Sequence, residues 1–398
     1  MEWKAKQKEF LTAVEMGRCI FLSGKAGTGK STVAREAMRI LKENKVKFIS
    51  VAPTGMAAAA IEGVTIHSFF RIPPQMCMMD YDNCQKINDQ RIKVLRKVRT
   101  IFIDEGSMVR ADLLDAMHMT MIKNGIKRGL KGKQVVFIGD MKQLPPIASD
   151  NERAVLKQKY DGITIFDAHC IKDMQLLQID LDEIVRQDDE EFINALNIVR
   201  DGGKSEYFRR FITNEASGVV LSPYNKVVNE YNERGLKLHD GKLYQFDAVI
   251  EGDAKPIDFK VDAEIRVKSG CKVMYLVNSK DNPLVNGSIG ELRIDERKEL
   301  TEPRLLFKVG NTEWLILPHT FTKYDYVYNK DTDEIERIEK GSITQYPIRL
   351  AYAMTIHKSQ GMTFEDMTAD FRGGCFQREQ YYVALSRATG PKALRIII

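Results

Sequence analysis

CIFLSGKAGTGKSTVAREAM, residues 19–38, reads as three pieces in a fixed order. CIFLS is a short apolar run rich in strand formers, GKAGTGK is a Gly-rich loop, and STVAREAM opens an amphipathic helix. Residues Gly24 to Ser31 match G-x-x-x-x-G-K-[ST], and a strand before and a helix after are the setting in which that pattern cradles phosphate. Gly24, Gly27 and Gly29, with Ala26 and Thr28 between them, let backbone N–H groups turn inward around phosphate oxygens. The helix N-terminus, which includes Thr32, adds its dipole. Lys30 is expected to reach the β- and γ-phosphates and Ser31 to ligate Mg²⁺.

Working outward, three more bursts share the character of the first: VKFISVAP (46–53), RTIFIDE (99–105) and KQVVFIGD (133–140). Each is short and ends in Gly, Pro or an acid, with helical stretches between them, as buried parallel strands read. The pattern predicts an α/β fold with a doubly wound sheet. Asp104 and Glu105 end the third burst. They suit a metal-holding carboxylate and a base for the attacking water. Gln143, in the loop after the fourth burst, faces either the γ-phosphate or its own loop. From about 180 a second α/β series begins, with EEFINALNIVRDG (190–202) as a helix and VVLSPYN (219–225) and EIRVKSGCKVMYLVN (264–278) as strands. Residues 291–344 read as short strands joined by polar turns, a small all-β insert. The α/β character returns at 345 and runs to the final residues.

Composition narrows the class without deciding it. The 398 residues carry 60 Lys and Arg against 55 Asp and Glu, a net charge of +5, so any nucleic-acid surface must be local. Hydrophobic residues are 43% and charged residues 29%, as in ordinary folded proteins. No apolar run approaches the roughly 20 residues of a membrane helix, and MEWKAKQKEF has no signal-peptide core. The six cysteines are scattered with no C-x-x-C pair, and read as reduced thiols. A cytoplasmic location is expected.

APTGMAA (52–58), TIHSFF (65–70), DEGSMV (104–109), GDMKQLPP (139–146), IVRQDDEEF (184–192), AYAMTIHKSQGMTF (351–364) and QYYVALSRAT (380–389) follow one another as the motifs of superfamily-one helicases do. The chain resembles the Pif type (petite integration frequency) of class B, with the Dda and RecD types as relatives; MVRADLLDAMH after the acidic motif and LVNGSIGEL point the same way. The resemblance runs from Gln7 to Arg387. It implies two RecA-like domains, residues 1–182 and then 183–290 with 345–398, an SH3-like insert at 291–344, and a duplex-splitting wedge at about 71–99. It implies ATP and Mg²⁺ as cofactors and a 5′-to-3′ DNA helicase, probed against one rival: a strand-stimulated ATPase that remodels or clamps protein–DNA complexes without processive unwinding. Four-stranded guanine structures are also open to the type. The compact chain points to a bacterial or phage source, and a monomer is expected.

The same resemblance places roles on residues. Gln7 is similar to the glutamine that reads the adenine edge, and Gly361 to a residue packed near the nucleotide. Arg186 and Arg387 resemble the two arginines that reach the γ-phosphate across the cleft. Two departures stand out: Gly106 replaces an apolar residue of the acidic motif, and residues 376–379 lack the usual Gly-rich lead-in. Thr54 and His67 of the first domain, and His357 and Lys358 of the second, resemble the contacts to single-stranded DNA. Such contacts hold phosphates and stack bases, so they tolerate any sequence.

Three features keep two readings each. Met76, Met78, Met79 and Tyr81 make either a wedge tip or a small cluster under a loop. Arg91, Lys93, Arg96, Lys97 and Arg99 are expected on the solvated side of a helix whose other face carries Ile92, Leu95 and Val98. Tyr324, Tyr326 and Tyr328 alternate along one strand; they are expected to pack the insert's own core, with a DNA channel as the alternative. Phe69 and Phe70 are expected in the core.

Overall fold

The four apolar bursts are too short for helices and too uniformly apolar for half-exposed strands, so each needs cover on both faces. A computed structural model gives them that cover. It describes residues 3–25, 28–54, 57–58, 61–73, 86–143, 145–146, 148, 150–181, 189–259, 261–277, 282–296, 303–329, 331–332, 334–360 and 362–398. The first strands are β1 Ile20–Gly24, β2 Phe48–Ala52, β3 Val64–Thr65, β4 Thr100–Ile103, β5 Gln134–Ile138 and β6 Leu177–Leu181. They form one parallel sheet in the order β3-β2-β4-β5-β1-β6. Alternate residues serve opposite faces. Phe21, Ile101, Ile103, Val135 and Phe137 enter one apolar layer; Ile20, Leu22, Phe102, Val136 and Ile138 enter the other, beneath helices α1 Ala5–Glu15 and α2 Lys30–Glu43.

A second parallel sheet carries the later α/β series. Its strands run in the order Ala353–Thr355, Val219–Ser222, Met367–Asp370, Leu394–Ile397. Helices Glu190–Arg200 and Glu379–Leu385 contribute Phe192, Leu196, Tyr382 and Val383 to its core. The α/β class with two parallel sheets and added β structure is the observed architecture.

The antiparallel part begins well before residue 291. Tyr244–Asp247 pairs with Glu264–Val267, and Lys272–Tyr275 sits inside a five-stranded sheet between Ile289–Asp295 and Ile348–Leu350. Residues 264–275 therefore belong to antiparallel sheets rather than to the second α/β series. The reason is visible in Glu264–Val267, where exposed and buried residues alternate. One wet face suits an antiparallel sheet, whereas parallel strands are buried on both. A third sheet joins Val249–Gly252 to a long hairpin, His319–Asn329 with Glu334–Gln345.

That hairpin overturns two expectations. Tyr326 packs neither the insert's own core nor an open channel: it is buried in the core of the first domain, its ring 6.0 Å from Phe69, with Tyr324 and Tyr328 packed alongside. β3 pairs only with Val51 and Ala52, so the ladder stops short of Ser50. The Ser50 N–H donates instead to the Tyr326 hydroxyl at 3.2 Å. Arg91 likewise is not on a solvated face. It is buried, and its Nε donates to Asp325 Oδ2 at 2.9 Å and Oδ1 at 3.1 Å, with Nη2 on Oδ2 as well. Its Nη1 donates to Ser68 O at 2.8 Å. The apolar side of the same helix, Leu95 and Val98, is buried as expected, and so are Phe69 and Phe70.

Candidate functional site

The phosphate loop ends β1, and its geometry explains its glycines. A side chain at Gly24 would meet Leu181 O and Thr28 Oγ1 at 2.7 Å. Gly29 adopts φ +82°, in the left-handed region that favours glycine, where it caps α2. Thr28 is buried and its hydroxyl donates to Lys25 O at 3.0 Å. Lys30 folds back into the loop, donating to Gly24 O at 2.7 Å and Lys25 O at 2.9 Å. Ser31 and Thr32 open onto solvent. Gln7 lies over the loop, its amide 3.5 Å from Thr28 O and its Oε1 accepting from Lys4 N at 3.1 Å.

Asp104 and Glu105 face this loop from the end of β4. Glu105 sits at φ +49°, an uncommon backbone for a non-Gly residue, and its N–H donates to Asp104 Oδ1 at 2.9 Å. Burial pushes the Asp104 carboxyl up to about 7; Glu105 adds to the rise, while that N–H and Lys30 oppose it. Burial lowers the Lys30 ammonium below its ordinary value, against the pull of Asp140, Glu105 and Asp104. Lys30 and Arg200 thus gather with several carboxylates beside the loop, where a phosphate and a metal would bind.

Two residues of the second domain reach this cluster. Gln360 Nε2 lies 3.1 Å from Glu105 Oε2 and 3.4 Å from Gln143 Oε1. Arg200 Nη2 donates to Asp140 Oδ1 at 3.0 Å. Gln143 is buried at this junction, between the two domains, and so does not merely satisfy its own loop. Arg387 is held inside the second domain. Its Nε donates to Val383 O at 3.0 Å, Nη1 to Met362 O at 3.2 Å and Nη2 to Ser386 Oγ at 2.9 Å.

The residues expected on the nucleic-acid track stand apart from the cluster. Thr54 accepts from Ala57 N at 3.3 Å through its hydroxyl. His67 Nδ1 lies 3.1 Å from Ile72 O, and burial lowers its affinity for a proton. His357 and Lys358 follow the strand Ala353–Thr355, both half-buried. Lys358 lines a cavity of about 490 Å³ with Asn225, Asn229, Asp262 and Arg349. Burial, with Arg349 nearby, depresses its pKa.

A family model for PIF1-like helicases matches residues 3–209. The chain is also 30% identical to the ATP-dependent DNA helicase Pif1 of Campylobacter jejuni, across 95% of this chain and 88% of that one. It belongs to the PIF1-like helicase family. Among solved structures, Pif1 of Bacteroides sp in complex with ADP-AlF4 covers 100% of this chain and 92% of that one at 28% identity and a TM-score of 0.88. The same Bacteroides Pif1 bound to single-stranded DNA matches at 29% identity over the same shares, with a TM-score of 0.69.

This PIF1-like helicase is an ATP-dependent DNA helicase, an ATP hydrolase whose partner is DNA. Among its described residues, no helix is long and apolar enough to cross a membrane. The fold brings Gln7, Gly24, Thr28, Gly29, Lys30, Ser31, Thr32, Asp104, Glu105 and Gln143 into one cleft. Ala26, Gly27, Arg186, Gly361, Met78 and Tyr81 lie outside the described residues. Sequence reasoning passed over Gln360, Asp140 and Arg200. Gln360 was within reach, since it stands in the motif TIHKSQG beside Gly361. Asp140 stands at a strand end and in the motif GDMKQLPP without a role of its own, and Arg200 looks like one more charge closing an amphipathic helix.

Proposed function

We propose that this helicase moves 5′ to 3′ on single-stranded DNA and splits duplex ahead of it, with ATP bound between residues 1–182 and the second parallel-sheet domain. The observation that carries the placement of ATP is Gln360, which reaches from the second domain to both Glu105 and Gln143; the polarity and the splitting of duplex rest on the resemblance of the motifs. A change in how the domains meet is therefore felt at the two residues that orient the attacking water and sense the γ-phosphate. Lys30 binds the β- and γ-phosphates, Glu105 takes the proton of the attacking water, and Arg186 and Arg387 neutralise charge on the transferred group. Gln7 selects adenine.

Ser31 and Asp104 would hold Mg²⁺. One hydroxyl and one carboxylate beside a phosphate loop fit that ion, which keeps waters and takes its remaining ligands from substrate phosphates. No group of three or more His, Cys, Asp or Glu suited to a protein-only metal cage occurs among the described residues. Bound there, Mg²⁺ supplies charge neutralisation at the phosphates. Thr54 and His67 on one domain, and His357 and Lys358 on the other, form the two grips that alternate along the strand. The segment 71–99 carries the wedge, and the chain works as a monomer.

The test is unwinding of one duplex carrying either a 5′ or a 3′ single-stranded tail, with wild type and Lys30→Ala. Opening of the 5′-tailed duplex alone, lost in Lys30→Ala, is the expected result. Opening of the 3′-tailed duplex alone would break the polarity. Strand-stimulated ATP hydrolysis without opening of either would favour a remodelling or clamping ATPase.

A further inference from the structure

Helix Glu190–Arg200 belongs to the second domain through Phe192, Ala195 and Leu196. Its last residue leaves that core and crosses the cleft. Arg200 and Asp140 meet there at 3.0 Å with side chains only 12% and 1% exposed. Asp140 Oδ1 also accepts from Lys142 N at 3.0 Å, and Lys142 lies 3.4 Å from Asp201 at the rim. The other halves of the pair are idle: Asp140 Oδ2 and Arg200 Nε are buried and have no hydrogen-bond partner among the described residues. Both groups lie within electrostatic range of Lys30, Asp140 holding its proton on and Arg200 driving it off.

A buried donor left unmade is costly, so the Arg200 Nε–H persists where an acceptor completes it. Here Asp140 lies near the phosphate-loop lysine in the same domain, and Arg200 reaches it from the opposite one. Two alternatives explain the pair less well. A purely structural clasp would use the guanidinium's fork on both carboxylate oxygens, as Arg91 does on Asp325. A solvated surface pair would not be buried.

We propose that Arg200 is a further catalytic arginine of ATP hydrolysis: Asp140 holds its guanidinium by Nη2 alone, which leaves Nε–H for the γ-phosphate. Asp140 is the positioning residue. This rests on the reading of the cleft given above. In the step itself, water attacks the γ-phosphorus and the bond to the β–γ bridging oxygen breaks. ADP leaves with that electron pair, inorganic phosphate forms, and Glu105 takes the water's proton. Negative charge grows on the γ-oxygens and the bridging oxygen, where an arginine from the second domain is most useful and registers that the domains have closed.

The experiment measures strand-stimulated ATP hydrolysis and binding of a fluorescent ADP, with and without aluminium fluoride, on the full chain. Arg200→Ala and Arg200→Lys are expected to lower kcat by about 10²–10³-fold, as loss of one transition-state donor does, with KM for ATP and affinity for the fluorescent ADP within about threefold of wild type. Both should lose the tighter retention of ADP that aluminium fluoride confers on wild type, because that complex mimics the transferring phosphoryl group. Added guanidinium should restore part of kcat to Arg200→Ala and none to Arg200→Lys. Asp140→Asn should lose about tenfold in kcat and keep some aluminium fluoride response. Should Arg200→Ala fail to fold, Arg200→Lys decides by the same readouts. A parallel loss of ADP affinity and kcat, or wild-type retention with aluminium fluoride, would overturn the proposal and leave Arg200 a domain clasp. Wild type that hydrolyses no ATP would bring down the reading of the cleft and the proposal with it; active wild type with unchanged Arg200 variants would bring down the proposal alone.

Discussion

Among the described residues, two long-range joints of the chain are built from different chemistry. At the nucleotide cleft, the second domain meets the first through Gln360, Arg200 and the rim pair Lys142–Asp201, all polar, with idle buried atoms on Asp140 and Arg200. At the other joint, the hairpin at 319–345 sinks Tyr326 into the first domain's core and closes a buried, doubly bonded Arg91–Asp325 pair over it. A joint made of amide contacts and one singly bonded ion pair, with a donor and an acceptor left unmade, changes at less cost. A joint made of buried aromatic surface and a desolvated ion pair resists change, because either charge left alone in the interior is expensive. The difference assigns motion to the cleft and rigidity to the hairpin dock.

Four substitutions test that contrast. The largest effect is expected at the dock: Asp325→Ala strands the Arg91 guanidinium in the interior and should cost about 3–5 kcal/mol. Thermal melting would show a drop of several degrees, and replacing both partners by apolar residues of similar volume should recover most of it. A melt unchanged by Asp325→Ala would mean that the dock is not the rigid joint. At the cleft, Gln360→Ala should lower strand-stimulated kcat by about 10–100-fold, or ~1.4–2.7 kcal/mol of barrier. The melting temperature should hardly move. Equal loss of stability and rate there would erase the distinction between the two joints.

Asp104→Asn separates function from stability in the other direction. A carboxyl held up at about 7 binds its proton more tightly in the folded chain than in the unfolded one. Folded stability therefore falls as pH rises from about 4 to 7, and the full penalty stands above that. In protein free of nucleotide and metal, Asp104→Asn should raise the melting temperature by a few degrees at pH 8 and much less at pH 4.5, while abolishing hydrolysis. A gain that does not depend on pH would show that the carboxyl is not strained by burial. The smallest effect is Tyr326→Phe, which keeps the ring and removes the acceptor for Ser50 N–H. A loss of about 1 kcal/mol is expected in the same melt, with no change in hydrolysis.

The phosphate loop and the acidic strand end were legible because each is a local pattern with a local cause, whereas Gln143 kept two readings until its partner across the cleft was seen. Glycines are needed where the backbone turns toward phosphate, and acids where a buried strand meets solvent. Gln360 sat within a quoted motif, but its partners lie more than 200 residues away in sequence. Arg91 was misread because helical spacing separates an apolar face from a charged one without saying whether a carboxylate will cover a particular charge. The tyrosines failed similarly. Alternation along a strand establishes that one face is aromatic and leaves open which core receives it. Residues 264–275 were read as α/β strands because short apolar runs look alike until their partners are known.

The sequence by itself determined the class of each burst, the phosphate-binding loop, the order of the motifs and hence the family, since these rest on periodicity, backbone conformation and residue chemistry within a few positions. Tertiary structure alone decided which domain's core takes Tyr326, which carboxylate pairs with Arg91, and which groups cross the cleft to Glu105 and Asp140. Those contacts join segments as much as 276 residues apart. They depend on burial and on the arrangement of whole domains, and no local spacing carries that information.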